Sequence, residues 1–144
     1  MEETNMAGDV WRRVLAGPVA TSGVDALLGP ALDALADYRY LAAALSGRAR
    51  QEAGKLQTRQ RDTVETLRGL CRLADGEDIG PRTLVQAKGP ASACLRRSYH
   101  RARRAATEYT ARTAEPLTGA AFRVLAAREE ENCAALAQLL GMQV

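Results

Sequence analysis

Two stretches of the chain share one spacing, and that spacing decides the fold class. They read KLQTRQRDTVETL over residues 55–67 and VLAAREEENCAAL over residues 124–136. In each, two leucines enclose two polar residues at steps of four, three and four: Leu56, Gln60, Thr63 and Leu67, then Leu125, Glu129, Asn132 and Leu136. Steps of three and four place side chains on one face of an α-helix. The pattern predicts two helices whose apolar stripes carry polar groups in the middle.

The same spacing also relates the two halves of the chain. Corresponding positions of the two stretches are 69 residues apart, and Ala31 and Tyr38 recur as Ala102 and Tyr109 at a separation of 71. Agreement at several positions at once indicates a duplicated helical hairpin.

Apolar periodicity and helix-ending residues divide the chain into an arm and a bundle. We expect an N-terminal arm over residues 1–24, containing Trp11, and a four-helix bundle over residues 25–144. Helices are predicted at about residues 30–46 (with a start at Asp25 as the alternative), 51–74, 91–114 and 117–140. Short links predict two antiparallel hairpins, and the Gly- and Pro-containing residues 75–90 predict a long crossover between them.

Composition favours the same class. Hydrophobic residues make up 47% of the 144 residues and aromatic residues only 4%, and the abundant Ala and Leu are strong helix formers. The net charge of +3 is mild. Three scattered cysteines, Cys71, Cys94 and Cys133, form no CxxC pair, which excludes a zinc ribbon and suits a reducing compartment. With no signal peptide and no membrane-length apolar run, we expect a cytoplasmic protein without a membrane partner.

Several local phrases together resemble the rubrerythrin-type branch of the ferritin-like family. They are YRYLA at residues 38–42, LRGL at 67–70 before DGE at 75–77, the run of apolar residues with Glu129 over 122–141, and VWRRV at 10–14. The resemblance covers nearly the whole chain and implies an all-α, ferritin-like four-helix bundle. It also implies a dimetal centre, which in this family takes one Glu from each of two helices and a Glu-x-x-His pair from each of the other two.

Carried over by position, the implied ligand pattern fails in this sequence. The six ligand positions fall on Ala31, Gln60, Thr63, Ala102, Glu129 and Asn132. Only one carboxylate remains, so we expect a vestigial site without catalytic residues or metal, and a non-catalytic binding or structural module. The alternative is a residual metal-binding oxidoreductase, acting in peroxide or iron detoxification, that holds iron or manganese through a non-standard ligand set. Three nearby acids, Asp33, Asp62 and Glu65, lie well off the apolar stripes at about 100° per residue and are expected to face solvent.

Glu129 then becomes a lone carboxylate in an apolar stripe. Burial without a charged partner raises the pKa of such a group. We expect Glu129, Gln60, Thr63 and Asn132 to form a neutral hydrogen-bonded cluster, with Tyr38 and Tyr109 as polar neighbours in the core.

The third predicted helix carries six arginines, a pattern that could meet phosphates. Acidic neighbours such as Asp33 and Asp37 favour instead a solvated, salt-bridged face, so nucleic-acid binding is disfavoured. His100, on the same helix, is expected to be exposed, and the cysteines are expected to be small core residues. The bundle is compatible with a homodimer through one of its faces.

Overall fold

The computed structural model describes residues 23–75 and 87–142. Within these residues the chain forms four α-helices and no strand: α1 over Val24–Ala44, α2 over Gly47–Asp75, α3 over Ala91–Thr110 and α4 over Gly119–Met142. The prediction of an all-α fold with four helices is therefore confirmed. Residues 1–22, which contain Trp11, and residues 76–86, which contain most of the predicted crossover, lie outside the described residues.

The first helix begins earlier than Pro30, its main predicted start. Gly23 adopts a left-handed φ of 83° just before the first helical residue, and Val24 and Leu28 are each only 1% exposed. Burying these apolar side chains stabilises a helix that begins before Pro30. Pro30 therefore lies inside α1, where it is exposed and removes one backbone donor from the helix.

Several other boundaries differ from the predicted ones by two to four residues. The second helix starts at Gly47, at a left-handed φ of 58°, rather than near residue 51. The third ends at Thr110 rather than near residue 114, because residues 111–114 form turns before Pro116. The fourth starts at Gly119, where a Cβ would lie 2.3 Å from the carbonyl oxygen of Thr113. Only glycine permits that close approach of two backbone segments.

Each helix packs against two others. Besides the hairpin pairs α1–α2 and α3–α4, α1 contacts α3 and α2 contacts α4. Between α1 and α3, Tyr40 near the end of α1 donates to the carbonyl of Gly89, just before α3 begins. Earlier in α1, Ala31 lines the same cavity as Tyr109, which is near the end of α3. Later residues of α1 thus meet earlier residues of α3, so these two helices are antiparallel.

The pair formed by α2 and α4 is antiparallel as well. Arg59 Nε donates to Asn132 Oδ1 at 2.9 Å, and farther along α2 Arg128 Nη1 donates to Thr66 Oγ1 at 3.3 Å. The two hairpins therefore join face to face through antiparallel neighbours.

The apolar core is divided into two clusters. One cluster contains Leu56 and Leu136, and the other contains Leu67 and Leu125. On α2 and α4 the polar positions of the repeated pattern lie between these leucines. The bundle therefore has a polar layer between two apolar halves.

Candidate functional site

The six positions at which the resemblance implies metal ligands are all buried in the bundle. Their exposed fractions are 4% for Ala31, 1% for Gln60, 0% for Thr63, 2% for Ala102, 3% for Glu129 and 0% for Asn132. Tyr38 and Tyr109 are also buried. Gln60, Thr63, Glu129 and Asn132 are called the central polar cluster below. These residues come from both repeated stretches and occupy the layer between the two apolar clusters.

Two hydrogen bonds tie the amides of this cluster to groups outside it. Gln60 Nε2 donates to the backbone carbonyl of Ala31 at 2.9 Å. A carbonyl only accepts, so the orientation of the Gln60 amide is settled and its Oε1 points elsewhere. Asn132 Oδ1 accepts from Arg59 Nε at 2.9 Å. The sequence predicted that these side chains bond to one another. In the structure the two amides bond instead to Ala31 and to Arg59.

Three polar atoms of the central polar cluster have no hydrogen-bond partner in the part of the chain that the structure describes. They are Gln60 Oε1, Thr63 Oγ1 and Asn132 Nδ2, and each is shielded from solvent. An unpaired buried polar group costs about 1–3 kcal/mol. These unpaired atoms therefore lower the stability of the folded bundle.

Glu129 is the only acid of this cluster, and its burial changes its titration. Desolvation raises the pKa of its carboxyl from 4.5 to about 7, while the Asn132 amide and the charge of Arg59 act in the lowering direction. Asn132 Nδ2 forms no hydrogen bond with any acceptor in the described part of the chain, and desolvation is the largest cause of the pKa shift of Glu129. Burial also raises the pKa of Tyr38 and of Tyr109, and the nearby carboxylate of Glu129 adds to both shifts.

A small cavity of about 20 Å³, partly open to solvent, lies beside Glu129. Each helix contributes at least one polar side chain to its wall: Tyr38 from α1, Gln60 from α2, Tyr109 from α3 and Glu129 from α4. Ala31 and Ala102, at two of the implied carboxylate positions, also line it, with Arg101 and Glu108. The space is comparable to that of one water molecule. Small side chains at the two alanine positions are one reason that this space remains.

A second buried acid, Asp37, was expected only as an acidic neighbour of the arginine-rich helix. The structure places it at 3% exposure, where it accepts from Arg97 Nε at 3.1 Å, Arg97 Nη2 at 2.9 Å and Arg101 Nη1 at 2.8 Å. Ser98 Oγ lies 3.5 Å from the same carboxylate. These residues are called the Asp37 ion-pair cluster below. The arginines at a spacing of four on α3 were the sequence signal for a shared acidic partner.

The titration of Asp37 is shifted in the opposite direction to that of Glu129. Burial by itself would raise the pKa of Asp37, but the hydrogen bonds and charges of Arg97 and Arg101 outweigh burial and hold the pKa below its ordinary value of 3.8. The expected salt bridging of the arginine-rich face is thus found at these two arginines.

The remaining side-chain predictions are confirmed by burial. The three acids of the alternative register, Asp33, Asp62 and Glu65, are exposed, as is His100. All three cysteines are buried. Burial raises the pKa of Cys94 to about 11 and also raises that of Cys133, which is typical of core thiols rather than nucleophiles.

The donor set at the bundle centre does not fit a dimetal centre. Glu129 is its only carboxylate, Ala31 and Ala102 carry no donor, and the remaining donors are neutral oxygens and amides, which are weak ligands for iron or manganese. Across residues 23–75 and 87–142, no three His, Cys, Asp or Glu side chains are grouped so that they could hold a metal ion.

Comparisons with known proteins return no match to this chain, whether with protein-family models, curated proteins or solved structures. None of the four helices described is long and apolar enough to cross a membrane.

Proposed function

We propose that this protein is a ferritin-like bundle of the rubrerythrin type that has lost its dimetal centre and acts as a non-catalytic binding or structural module in the cytoplasm. One observation carries the proposal. The six ligand positions assigned from the sequence lie on four different helices, and all six are at most 4% exposed. An arbitrary register would place several of them on the surface.

The order of helix contacts supports the ferritin-like part of the proposal. Asp75 ends α2 at the end of the bundle where α1 begins, because α1 and α2 form a hairpin. Ala91 starts α3 near the opposite end, since Tyr40, late in α1, bonds to Gly89. The end of α2 and the start of α3 therefore lie at opposite ends of the bundle, and this placement supports the long crossover in the proposal.

The chemistry of the central polar cluster supports the non-catalytic part. Its side chains offer one carboxyl group, two amides and one hydroxyl, so the cluster itself holds no second acid or base to act together with Glu129. A layer of polar groups between two apolar clusters is suited to a structural role, because a hairpin that slid along its partner would bury these groups in apolar surroundings. We therefore assign the centre to holding the register of the two hairpins.

Restoring the ligands tests the register directly. The five-fold variant Ala31→Glu, Gln60→Glu, Thr63→His, Ala102→Glu and Asn132→His, with Glu129 retained, should bind two equivalents of Co²⁺ and show the absorption bands of the bound ion. The matched control adds Glu129→Gln and should bind less. A folded five-fold variant that binds no metal would show that the assigned register is wrong.

If the five-fold variant does not fold, the three changes on α2 and α4 alone (Gln60→Glu, Thr63→His and Asn132→His) leave α1 and α3 untouched and should bind at least one equivalent. The wild-type chain offers an independent test of the lost centre. Protein purified without chelators should carry far less than one equivalent of iron or manganese. Two equivalents per chain would refute the loss of the centre and favour the oxidoreductase alternative.

A further inference from the structure

We propose that the cavity beside Glu129 is a binding site for one water molecule, which joins the four helices through Tyr38, Gln60, Tyr109 and Glu129. The inference rests on the cavity and its lining, and it holds whether or not the bundle is ferritin-like.

Gln60 provides the first argument, because it needs a hydrogen-bond donor. Its Nε2 is held by the carbonyl of Ala31 at 2.9 Å, so its Oε1 is left as an acceptor, buried and without a partner in the described part of the chain. Gln60 also lines the cavity. A bound water that donates to Oε1 removes the cost of leaving a buried acceptor unpaired, and this gain opposes the entropy lost when the water is immobilised.

The size of the cavity limits the occupant. A volume of about 20 Å³ exceeds the roughly 10–15 Å³ needed for a single water and leaves little room for a larger molecule. Apolar cavities of this kind stay empty, whereas this one has a polar side chain from each helix in its wall. A buried water needs two to four polar partners, and the four side chains meet that requirement.

The charges around the cavity favour a neutral occupant. Two acids line it, Glu129 on α4 and Glu108 on α3. Two arginines oppose them. Arg59 on α2 lowers the pKa of Glu129, and Arg101 on α3 lines the cavity. The group that α1 contributes is the uncharged phenol of Tyr38.

The lining also has the right balance of donors and acceptors. The phenols of Tyr38 and Tyr109 can donate a hydrogen bond, while Gln60 Oε1 and the Glu129 carboxyl can accept one. A water molecule offers two donors and two acceptor positions, so it can serve all four groups at once. An ammonium ion, of similar size, could only donate and would add a positive charge beside Arg101.

Two measurements on the full-length wild-type chain test the proposal. A high-resolution crystal structure should show one ordered water within hydrogen-bond distance of Gln60 Oε1 and the Glu129 carboxyl. Oxygen-17 magnetic relaxation dispersion should show at least one water with a long residence time. A cavity without density, or a protein without long-lived water, would overturn the proposal.

A matched pair of variants locates that water. Ala102→Val adds two methyl groups to a residue that lines the cavity, and it should abolish one long-lived water. Ala135→Val makes the same change at another buried alanine, 9% exposed and outside the cavity lining, and should leave the count unchanged. An undiminished count in folded Ala102→Val would contradict the assignment. If Ala102→Val does not fold, the wild-type measurements still decide.

A salt comparison separates water from a cation. The melting temperature should be the same in ammonium chloride and in sodium chloride of equal concentration. A melting temperature that rises selectively in ammonium chloride, and no longer does so in Glu129→Gln, would identify a cation site and overturn the proposal.

Discussion

Asp37 and Glu129 are buried equally, at 3% exposure each, yet the pKa values of these two acids are shifted in opposite directions. Asp37 accepts three hydrogen bonds of 3.1 Å or shorter from two arginines, and its pKa is lowered. Glu129 faces neutral amides, phenols and a small cavity, and its pKa is raised to about 7. Burial alone therefore does not determine the charge of an acid in this fold. The donors on the neighbouring helix determine it.

The difference also separates two roles. The Asp37 ion-pair cluster joins α1 to α3 with charged hydrogen bonds, and its arginines remain 38% and 21% exposed on their side chains. The central polar cluster joins α2 to α4 in a buried layer, and three of its polar atoms have no partner among the described residues. The first is expected to stabilise the bundle at neutral pH, and the second to cost stability there.

The largest expected effect comes from Glu129→Gln at alkaline pH. Below pH 4.5 the carboxyl is protonated in both the folded and the unfolded chain. Between pH 4.5 and about 7 the folded chain keeps the proton and the unfolded chain loses it, so wild-type stability falls as pH rises through this window. At about 1.4 kcal/mol per pKa unit, the variant should exceed the wild type by about 3 kcal/mol at pH 8 and by much less at pH 5.

Urea unfolding at these two pH values measures this difference. The exposed Glu131 on the same helix supplies the matched control, because Glu131→Gln should leave the pH dependence of unfolding unchanged. Equal stability of wild type and Glu129→Gln at both pH values would show that Glu129 is not in a desolvated site.

A somewhat smaller effect of opposite sign is expected from Asp37→Asn. At pH 7 the variant should be less stable than the wild type by about 2 kcal/mol. That is less than the roughly 3–5 kcal/mol typical for breaking a fully buried ion pair, because Arg97 and Arg101 can turn toward solvent. Since the folded-state pKa of Asp37 is lowered, its contribution is present above pH 3.8 and is lost as pH falls below that value.

The exposed Asp33, on the same helix, provides the control for this second prediction. Asp33→Asn should change the free energy of unfolding little at either pH. The difference between wild type and Asp37→Asn should shrink when unfolding is measured near pH 3. A gap that stays constant between pH 7 and pH 3 would show that the carboxylate charge is not the source of the stability.

The sequence predicted one of these two regions far better than the other. The repeated steps of four, three and four carry the information that Glu129 and its neighbours share a buried level, because helix periodicity alone assigns a face. Periodicity could not assign the hydrogen bonds of Gln60 and Asn132, since those depend on how far α1 and Arg59 approach.

Asp37 shows the limit of the same reasoning. It precedes Tyr38, at the edge of the apolar stripe of α1, so its own helix gives no clear sign of burial. Its burial comes from α3, which covers it with Arg97, Ser98 and Arg101. That contact depends on the packing between the two hairpins, which a pattern within one helix does not report. The start of α1 at Val24 lies six residues before Pro30, the main predicted start, and one residue before Asp25, the alternative start.

The smallest expected effect compares one hydroxyl from the central polar cluster with one that is satisfied elsewhere. Thr63 is 0% exposed and its Oγ1 has no partner among the described residues, whereas Thr118 is 2% exposed and its Oγ1 donates to Glu115 Oε1 at 2.9 Å. Valine replaces threonine with nearly the same shape. Thr63→Val should therefore stabilise the bundle by about 1 kcal/mol, and Thr118→Val should destabilise it by about as much.

Chemical denaturation at a single pH measures both threonine variants. The opposite signs are what the comparison of the two polar regions requires, because the same change removes a desolvation cost in one place and a hydrogen bond in the other. A loss of stability in Thr63→Val as large as in Thr118→Val would mean that the Thr63 hydroxyl has a partner. A second ordered water between α2 and α4 would then be the first candidate, since the polar layer would still need a donor or acceptor at that position.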